Sequence, residues 1–454
     1  MIKKNDIPDI LKLSAITLIK KIKKKEITSR EYCQICIDRV DLIESEVQAF
    51  AYFDSQSLLR KAEFIDNLLS RNVEIEEVEG IIPHTLCGLP VGIKDIFNTE
   101  DMPTCMGSPI WDGFTPGNDA RAVTRIKRAG GLIAAKTVTA EFAVHHPGPT
   151  RNPHNLEYSP GTSSSGSAAA VASYMMPLAI GTQTAGSTIR PASYCGIYGF
   201  KPSFGVIPRT GVLKTLDTLD HVSMMARHIS DIEVLFNVLR VYGWNYPLVE
   251  KYLDADKRKT KKEYNLAFVK THTWDTAESY VKDKLSDYID KIEKVRRINV
   301  VEMELPRIFK ESHHVHSIIY EKALSYYFKD EVKNNPDLVS STMKKMTDRG
   351  NKISLESYRC NIDKQVSLRE ALTEFYEKND IDAIICHSTA GVAPYGLDGI
   401  EKPDPCLMWT LCGAPSLNLP LFRNNDHMPF GAQLAGKRFT DYSLLNLAKL
   451  LMEV

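Results

Sequence analysis

The chain reads as an α/β protein on two observations. Short apolar runs of strand length alternate with longer stretches of helical periodicity, and glycine pairs or charged segments punctuate them. Residues 8–70 read as helices: Leu11, Ile16, Leu18, Ile19 and Ile22 make one apolar face, and Thr28-Ser29-Arg30-Glu31 has the form of a capping box opening the next helix. Segment 86–100 reads as a strand entering a loop, and 119–129 as a helix broken by Gly130-Gly131. Leu132-Ile133-Ala134-Ala135-Lys136-Thr137 follows as a buried strand, and Pro177-Leu178-Ala179-Ile180 as another. Residues 251–263 turn charged, with Lys257-Arg258-Lys259-Thr260-Lys261-Lys262, and read as an exposed linker. Tyr264-Asn265-Leu266-Ala267-Phe268-Val269 resumes as a strand, 278–378 reads as a mostly helical lobe, and Ile381-Asp382-Ala383-Ile384-Ile385-Cys386 returns to the sheet.

Bulk composition excludes several classes of function. With 454 residues the chain can bury a large core, and 43% hydrophobic with 25% charged residues is ordinary for a globular protein. Lys plus Arg equals Asp plus Glu at 57 each, so no electrostatic signal points to nucleic acid or an acidic partner. The run Lys20-Lys21-Ile22-Lys23-Lys24-Lys25 reads as the solvated end of an amphipathic helix. Cys33 and Cys36 form a lone C-x-x-C in a helical pattern and read as reduced, half-buried residues, because the 9 cysteines show no disulfide or metal spacing. Met1-Ile2-Lys3-Lys4-Asn5-Asp6 lacks the apolar core of a signal peptide, and no window approaches a membrane span. A cytoplasmic location is expected, with no membrane association.

Chemistry concentrates in three short stretches. Lys94 ends Gly88-Leu89-Pro90-Val91-Gly92-Ile93-Lys94-Asp95; Ser163 opens Ser163-Ser164-Ser165-Gly166-Ser167; Ser187 closes Gly181-Thr182-Gln183-Thr184-Ala185-Gly186-Ser187. A hydroxyl nucleophile needs a base, and a lysine amine serves once burial lowers its pKa. It also needs backbone N–H groups crowded about one point, which small residues permit. The pattern points to a hydrolytic enzyme. The competing reading of Lys94 is a strand-end cation paired with Asp95.

These motifs resemble the amidase signature family of amide hydrolases. The resemblance rests on "GLPVGIKD" at Gly88–Asp95, the Ser-rich loop running into Ala168-Ala169-Ala170-Val171-Ala172, and the Gly181–Ser187 loop, in the family's order and spacing. Gly199-Phe200-Lys201-Pro202, Leu219-Asp220-His221, Pro415-Ser416-Leu417-Asn418-Leu419-Pro420 and Gly431-Ala432-Gln433-Leu434 extend it. It implies an α/β/α sandwich about a large mixed twisted sheet with helical insertions, in a single domain over 1–454. Within that domain, N-terminal helices span 1–75, the motif-bearing core 80–240, a helical lobe 264–378 and a return to the sheet 380–454. A homodimer joined through the N-terminal helices is implied too.

By the same resemblance Ser187 is the nucleophile, Lys94 the base and Ser163 the bridging serine, which in the family carries a cis peptide bond. Thr184, Ala185 and Gly186 would form the oxyanion hole with the Ser187 N–H. The sequence departs from the commoner Gly-Thr-Asp-Thr-Gly-Gly-Ser pattern: Gln183 stands for a carboxylate and Ala185 for a glycine, while Thr162 and Ser165 replace glycines of the middle loop. Arg190 falls three residues after Ser187 rather than two. This form resembles a subgroup that includes hydrolases of small carboxylate-bearing amides. There Arg190 reads as a carboxylate clamp with Gln183 beside it; a structural arginine bonded to the loop is the alternative.

His313-His314-Val315-His316 with Glu321 invites a metal reading, but the H-E-x-x-H pattern is absent and the helix reads as pocket-lining or packing. The family needs no metal and no cofactor. The expected activity is hydrolysis of a small amide through an acyl-serine. Two alternatives keep the fold: an acyl-transfer or amide-forming enzyme, and the glutamine-hydrolysing A-type component of a glutamyl-tRNA amidotransferase. Gln183, Ala185, a shortened C-terminal region and the absence of a basic surplus argue against the latter.

Overall fold

A computed structural model describes residues 6–71, 77, 80–242, 247–257, 261–399 and 401–454. Its centre is a mixed sheet of 11 strands. In chain order these are β1 (Phe50–Phe53), β2 (Pro90–Lys94), β3 (Leu132–Thr137), β4 (Leu178–Gln183), β5 (Tyr198–Lys201), β6 (His221–Ala226), β7 (Tyr264–Val269), β8 (Ile298–Met303), β9 (Ala383–His387), β10 (Ser416–Arg423) and β11 (Pro429–Gly436). Their spatial order is β1-β3-β2-β4-β6-β5-β10-β11-β9-β7-β8. Parallel pairs (β2 with β3 and β4, β7 with β8 and β9) flank an antiparallel centre.

Both faces of the sheet are covered. Alternate residues of a strand point to opposite faces. On β4, Leu178 and Ile180 join the main core, whereas Ala179 packs with Ala168, Val171 and Ala192 of the two helices that follow the serine loops. On β6, Met224 and Met225 divide in the same way. The second cluster is built of small residues, which lets helices Ser165–Ala172 and Ile189–Cys195 lie close against the sheet. That close approach sets the two serine-bearing loops side by side at the ends of β2 and β4. The expected α/β/α architecture is the observed one.

Several local expectations change. The 8–70 region holds the capping box as read, with Thr28 accepting from the Glu31 N–H, but it also contains β1, an antiparallel edge strand on β3. Four residues between two long helices carry too little periodicity to announce a strand. Similarly, β8 lies inside the stretch read as helical, and its mostly exposed pattern resembles a polar helix face. Within the 251–263 stretch read as a linker, residues up to Lys257 belong to helix Pro247–Lys257, and 258–260 lie outside the described residues. That helix packs inward because Leu253 is buried and Asp256 accepts from the Tyr442 and Ser443 N–H groups at the start of the last helix. No helix among the described residues is long and apolar enough to cross a membrane.

Candidate active site

Lys94 ends β2, fully buried, and its Nζ lies 2.5 Å from Ser163 Oγ and 2.9 Å from Thr182 Oγ1. Burial pushes its pKa well below the usual lysine value, opposed by the nearby Asp220 carboxylate. Asp95 does not pair with it. That carboxylate sits 3.2 Å from Lys136 Nζ, and the Lys136 ammonium also donates to the Phe97 carbonyl at 2.8 Å and to Thr104 Oγ1 at 2.6 Å. Two neighbouring buried lysines are therefore distinguished: one is paired with a carboxylate, the other has only hydroxyls.

Ser163 stands just before helix Ser165–Ala172 with φ of +73°, and its hydroxyl donates to the Ala143 carbonyl at 3.1 Å. Phe142 and Ala143 also hold positive φ, at +48° and +59°. Three non-glycine residues in this region mark a strained junction, each costing roughly 1–3 kcal/mol. The peptide bonds among the described residues are all trans, so the cis bond implied for Ser163 is not present. Instead the left-handed φ turns its side chain toward Lys94.

Ser187 lies in the loop between β4 and helix Ile189–Cys195 with 8% of its surface exposed, against 1% for Ser163. Its Oγ makes no hydrogen bond to Ser163 or Lys94. The two serine stretches meet at one peptide: the Thr182 carbonyl accepts from Ser164 Oγ and from Thr188 Oγ1, both at 3.2 Å. These two donors are the residues immediately after Ser163 and Ser187.

The loop itself is held from outside. Thr184 Oγ1 donates to Asp220 Oδ1 at 2.7 Å, and that carboxylate also takes the Thr215 and Leu216 N–H groups. The Thr184 carbonyl accepts from His316 Nε2 at 3.0 Å, and the Ala185 carbonyl from Thr410 Oγ1 at 2.6 Å. Among the described residues, the N–H groups of Ala185, Gly186 and Ser187 find no acceptor. Ala185 takes no positive φ, so the glycine of the commoner pattern is not required there. Gly186 is different: a methyl would sit 2.7 Å from Asp404 Oδ1 and 2.8 Å from Arg190 Nε.

Gln183 and Arg190 are both engaged by other groups of the protein. Gln183 is fully buried; its Oε1 accepts from the Thr188 and Ile189 N–H groups at 2.9 and 3.0 Å, and its Nε2 donates to Thr410 Oγ1 at 3.0 Å. An amide replaces the carboxylate here because this position must donate as well as accept. Arg190 ion-pairs with Glu401, which also accepts from Thr162 Oγ1, and lies 3.5 Å from Asp404.

Two cavities flank the loop. One, of about 330 Å³, is lined by Thr182, Thr184, Ala143, Arg209, Lys214 and Asp220. The other, of about 420 Å³, is lined by Ala185, Arg190, His145, Tyr320, Arg349 and Asp404. Burial pushes both His145 and His316 down to about 4, so both rings are neutral near pH 7. His313 does not join His316 around a common point: it pairs with His272 at 2.6 Å. No group of three or more His, Cys, Asp or Glu among the described residues is arranged to hold a metal. Sequence reasoning missed Thr410, Glu401 and Asp404, which come from distant segments and carry no motif. His316 lies on the helix read as pocket-lining or packing, and it lines the second cavity.

A buried lysine against a serine, beside a loop of unpaired N–H groups on a mixed α/β/α sheet, belongs to the enzymes that act on C–N bonds of amides. The Amidase family model matches residues 31–445, and the chain belongs to that family. It is similar to the A component of the glutamyl-tRNA(Gln) amidotransferase of Carboxydothermus hydrogenoformans, 28% identical over 481 aligned positions that cover 96% of each chain. The corresponding component in Mycobacterium leprae is 37% identical over 237 residues, 51% of this chain and 46% of that one. Among solved structures, an amidase superposes with a TM-score of 0.84 at 24% identity, covering 97% of this chain and 99% of the other. The peptide amidase of Stenotrophomonas maltophilia gives 0.79 at 22% identity, covering 97% and 96%. At these identities the solved structures share the fold.

Proposed function

We propose that the protein hydrolyses a small amide through an acyl-enzyme on Ser187. The observation that carries this reading is Lys94, fully buried, without a carboxylate partner and 2.5 Å from Ser163 Oγ. A neutral amine there serves as a base at ordinary pH. Ser187 Oγ attacks the amide carbonyl while its proton passes to Ser163, whose own proton turns from the Ala143 carbonyl to Lys94. The tetrahedral oxygen takes the free N–H groups of Ala185, Gly186 and Ser187. Lys94 returns the proton through Ser163 to the leaving nitrogen, the C–N bond breaks, and ammonia or an amine departs. Water then attacks the acyl-serine by the same relay. These donors are three of the four in the Thr184–Ser187 assignment. The substrate is a small molecule, and a substrate carboxylate reaching Arg190 takes the place of Glu401. No metal or cofactor enters the scheme.

A second reading, an A-type component of an amidotransferase, is favoured by the relative that matches over 96% of both chains. That coverage removes the shortened C-terminal region as an argument against it. The deciding experiment follows ammonia release over half-amides of dicarboxylic acids, glutamine, aliphatic and aromatic amides, with Ser187→Ala as the blank. Turnover confined to carboxylated amides, and reduced about 1000-fold or more in Ser187→Ala as expected for a nucleophile, supports the first reading. Residual activity within about tenfold of wild type in Ser187→Ala sinks the Ser187 assignment. Glutamine turnover by a protein that co-purifies with further polypeptides supports the second.

A further inference from the structure

In the loop that follows β4 the N–H groups of Ala185, Gly186 and Ser187 are unpaired, and something must keep them unpaired and fixed. In a trans peptide the C=O of one residue and the N–H of the next lie in one plane and point in opposite directions. Holding the Thr184 carbonyl therefore orients the Ala185 N–H, and holding the Ala185 carbonyl orients the Gly186 N–H. The first carbonyl is held by His316 and the second by Thr410. We propose that His316 and Thr410 are positioning residues for the oxyanion hole, each fixing one peptide plane of the loop through its carbonyl. This rests on the assignment of Ser187 as nucleophile.

The hydrogen-bond chemistry at both contacts has one direction. A carbonyl only accepts, so His316 carries its proton on Nε2, and a neutral imidazole has one N–H to give. The ring is buried within helix Ser312–Tyr327 and packs on Tyr320 at 5.3 Å between ring centroids. Thr410, buried in helix Leu407–Leu411, accepts from Gln183 Nε2 and passes its own proton to the Ala185 carbonyl. The Gln183 amide thus fixes which way the Thr410 hydroxyl points. Two helices from distant parts of the chain, one in the helical segment and one near the C-terminal strands, clamp the loop. Neither side chain hydrogen-bonds to Lys94, Ser163 or Ser187.

The test uses a fluorophosphonate probe, whose reaction with serine needs both an activated hydroxyl and donors for the phosphoryl oxygen, and so requires no knowledge of the substrate. Labelling of Ser187 is timed by mass spectrometry in the full-length wild type, His316→Phe, His316→Gln, Thr410→Val and Thr410→Ser. The apolar variants should label roughly 10- to 100-fold more slowly, the loss expected from misplacing donors by about an ångström. Thr410→Ser and His316→Gln, which retain a donor, should recover most of the rate. That rescue is what a merely structural role would not give. Thr410→Val is isosteric and carries the test alone should His316→Phe fail to fold. Wild-type rates in both apolar variants would overturn this proposal alone. No label on Ser187 in the wild type would overturn the nucleophile assignment and this proposal together.

Discussion

Lys136, one strand over from Lys94, holds the Asp95 carboxylate at 3.2 Å and leaves Lys94 with only the hydroxyls of Ser163 and Thr182 as partners. The division matters because a carboxylate partner favours the charged form of a lysine and opposes the effect of burial, whereas a dry site with only hydroxyls favours the neutral amine. Removing the acid from Lys94 is therefore as much a part of the site as placing the serine beside it.

Replacing Lys94 by Met should abolish turnover while leaving the protein at least as stable at neutral pH. The native amine is depressed well below the 10.5 of an unfolded lysine. Between those two values the unfolded chain binds a proton that the native state does not, so wild-type stability rises with pH across the window. Lys94→Met removes that slope. Thermal melts taken across the window should show the advantage of the variant shrinking as pH rises. Wild-type turnover should fall on acidification as Lys94 takes up its proton. A variant distinctly less stable at neutral pH would mean that Lys94 is charged and held by an acid.

Gly186→Ala tests the close approach behind the loop. Its methyl would stand 2.7 Å from Asp404 Oδ1 and 2.8 Å from Arg190 Nε. Neither can move freely, because Asp404 Oδ1 accepts from the Cys406 N–H and Arg190 is tied to Glu401. We expect a loss of about 1–3 kcal/mol by urea denaturation, typical of overpacking, and a drop in kcat larger than any change in KM. Unchanged stability would show that the Asp404 segment yields.

The cysteines give a prediction of surface chemistry. Cys360 is exposed, Cys105 intermediate, and the other seven are buried. Burial pushes the Cys36 thiol up to about 12 and Cys33 well above its usual value, so neither forms a thiolate at neutral pH. Native protein treated briefly with a maleimide should carry one label, on Cys360. Early labelling of Cys33 or Cys36 would contradict the packing of helix Ser29–Val47.

Much of the site was legible in the sequence because the chemistry is local. The Lys94 strand, the Ser163 loop and the Ser187 loop each announce themselves by small residues around one reactive group, and the structure brings Lys94 and Ser163 into contact. What the sequence hid is long-range. The donors that hold the loop come from 132 and 225 residues away, and an isolated threonine such as Thr410 has no pattern to flag it. Arg190 was open between clamp and structural support, and its ion pairs with Glu401 and Asp404 depend on a segment far along the chain. The strands β1 and β8 were missed because short or exposed strands carry little periodicity.

Gln183 offers the sharpest separation between the sequence expectation and the structure. As a substrate contact it could be replaced with an effect on KM and little on stability. In the structure its side chain instead satisfies the Thr188 and Ile189 N–H groups and orients the Thr410 hydroxyl. Gln183→Leu leaves those buried groups without partners, at roughly 1–3 kcal/mol for each unsatisfied group. The expected total is about 2–5 kcal/mol by urea denaturation, with kcat reduced because Thr410 loses its direction. Gln183→Glu keeps acceptors for the two N–H groups but cannot donate to Thr410. It should therefore retain more stability than Gln183→Leu while still losing turnover. If Gln183→Leu were as stable as wild type and only KM rose, the side chain would belong to the substrate after all.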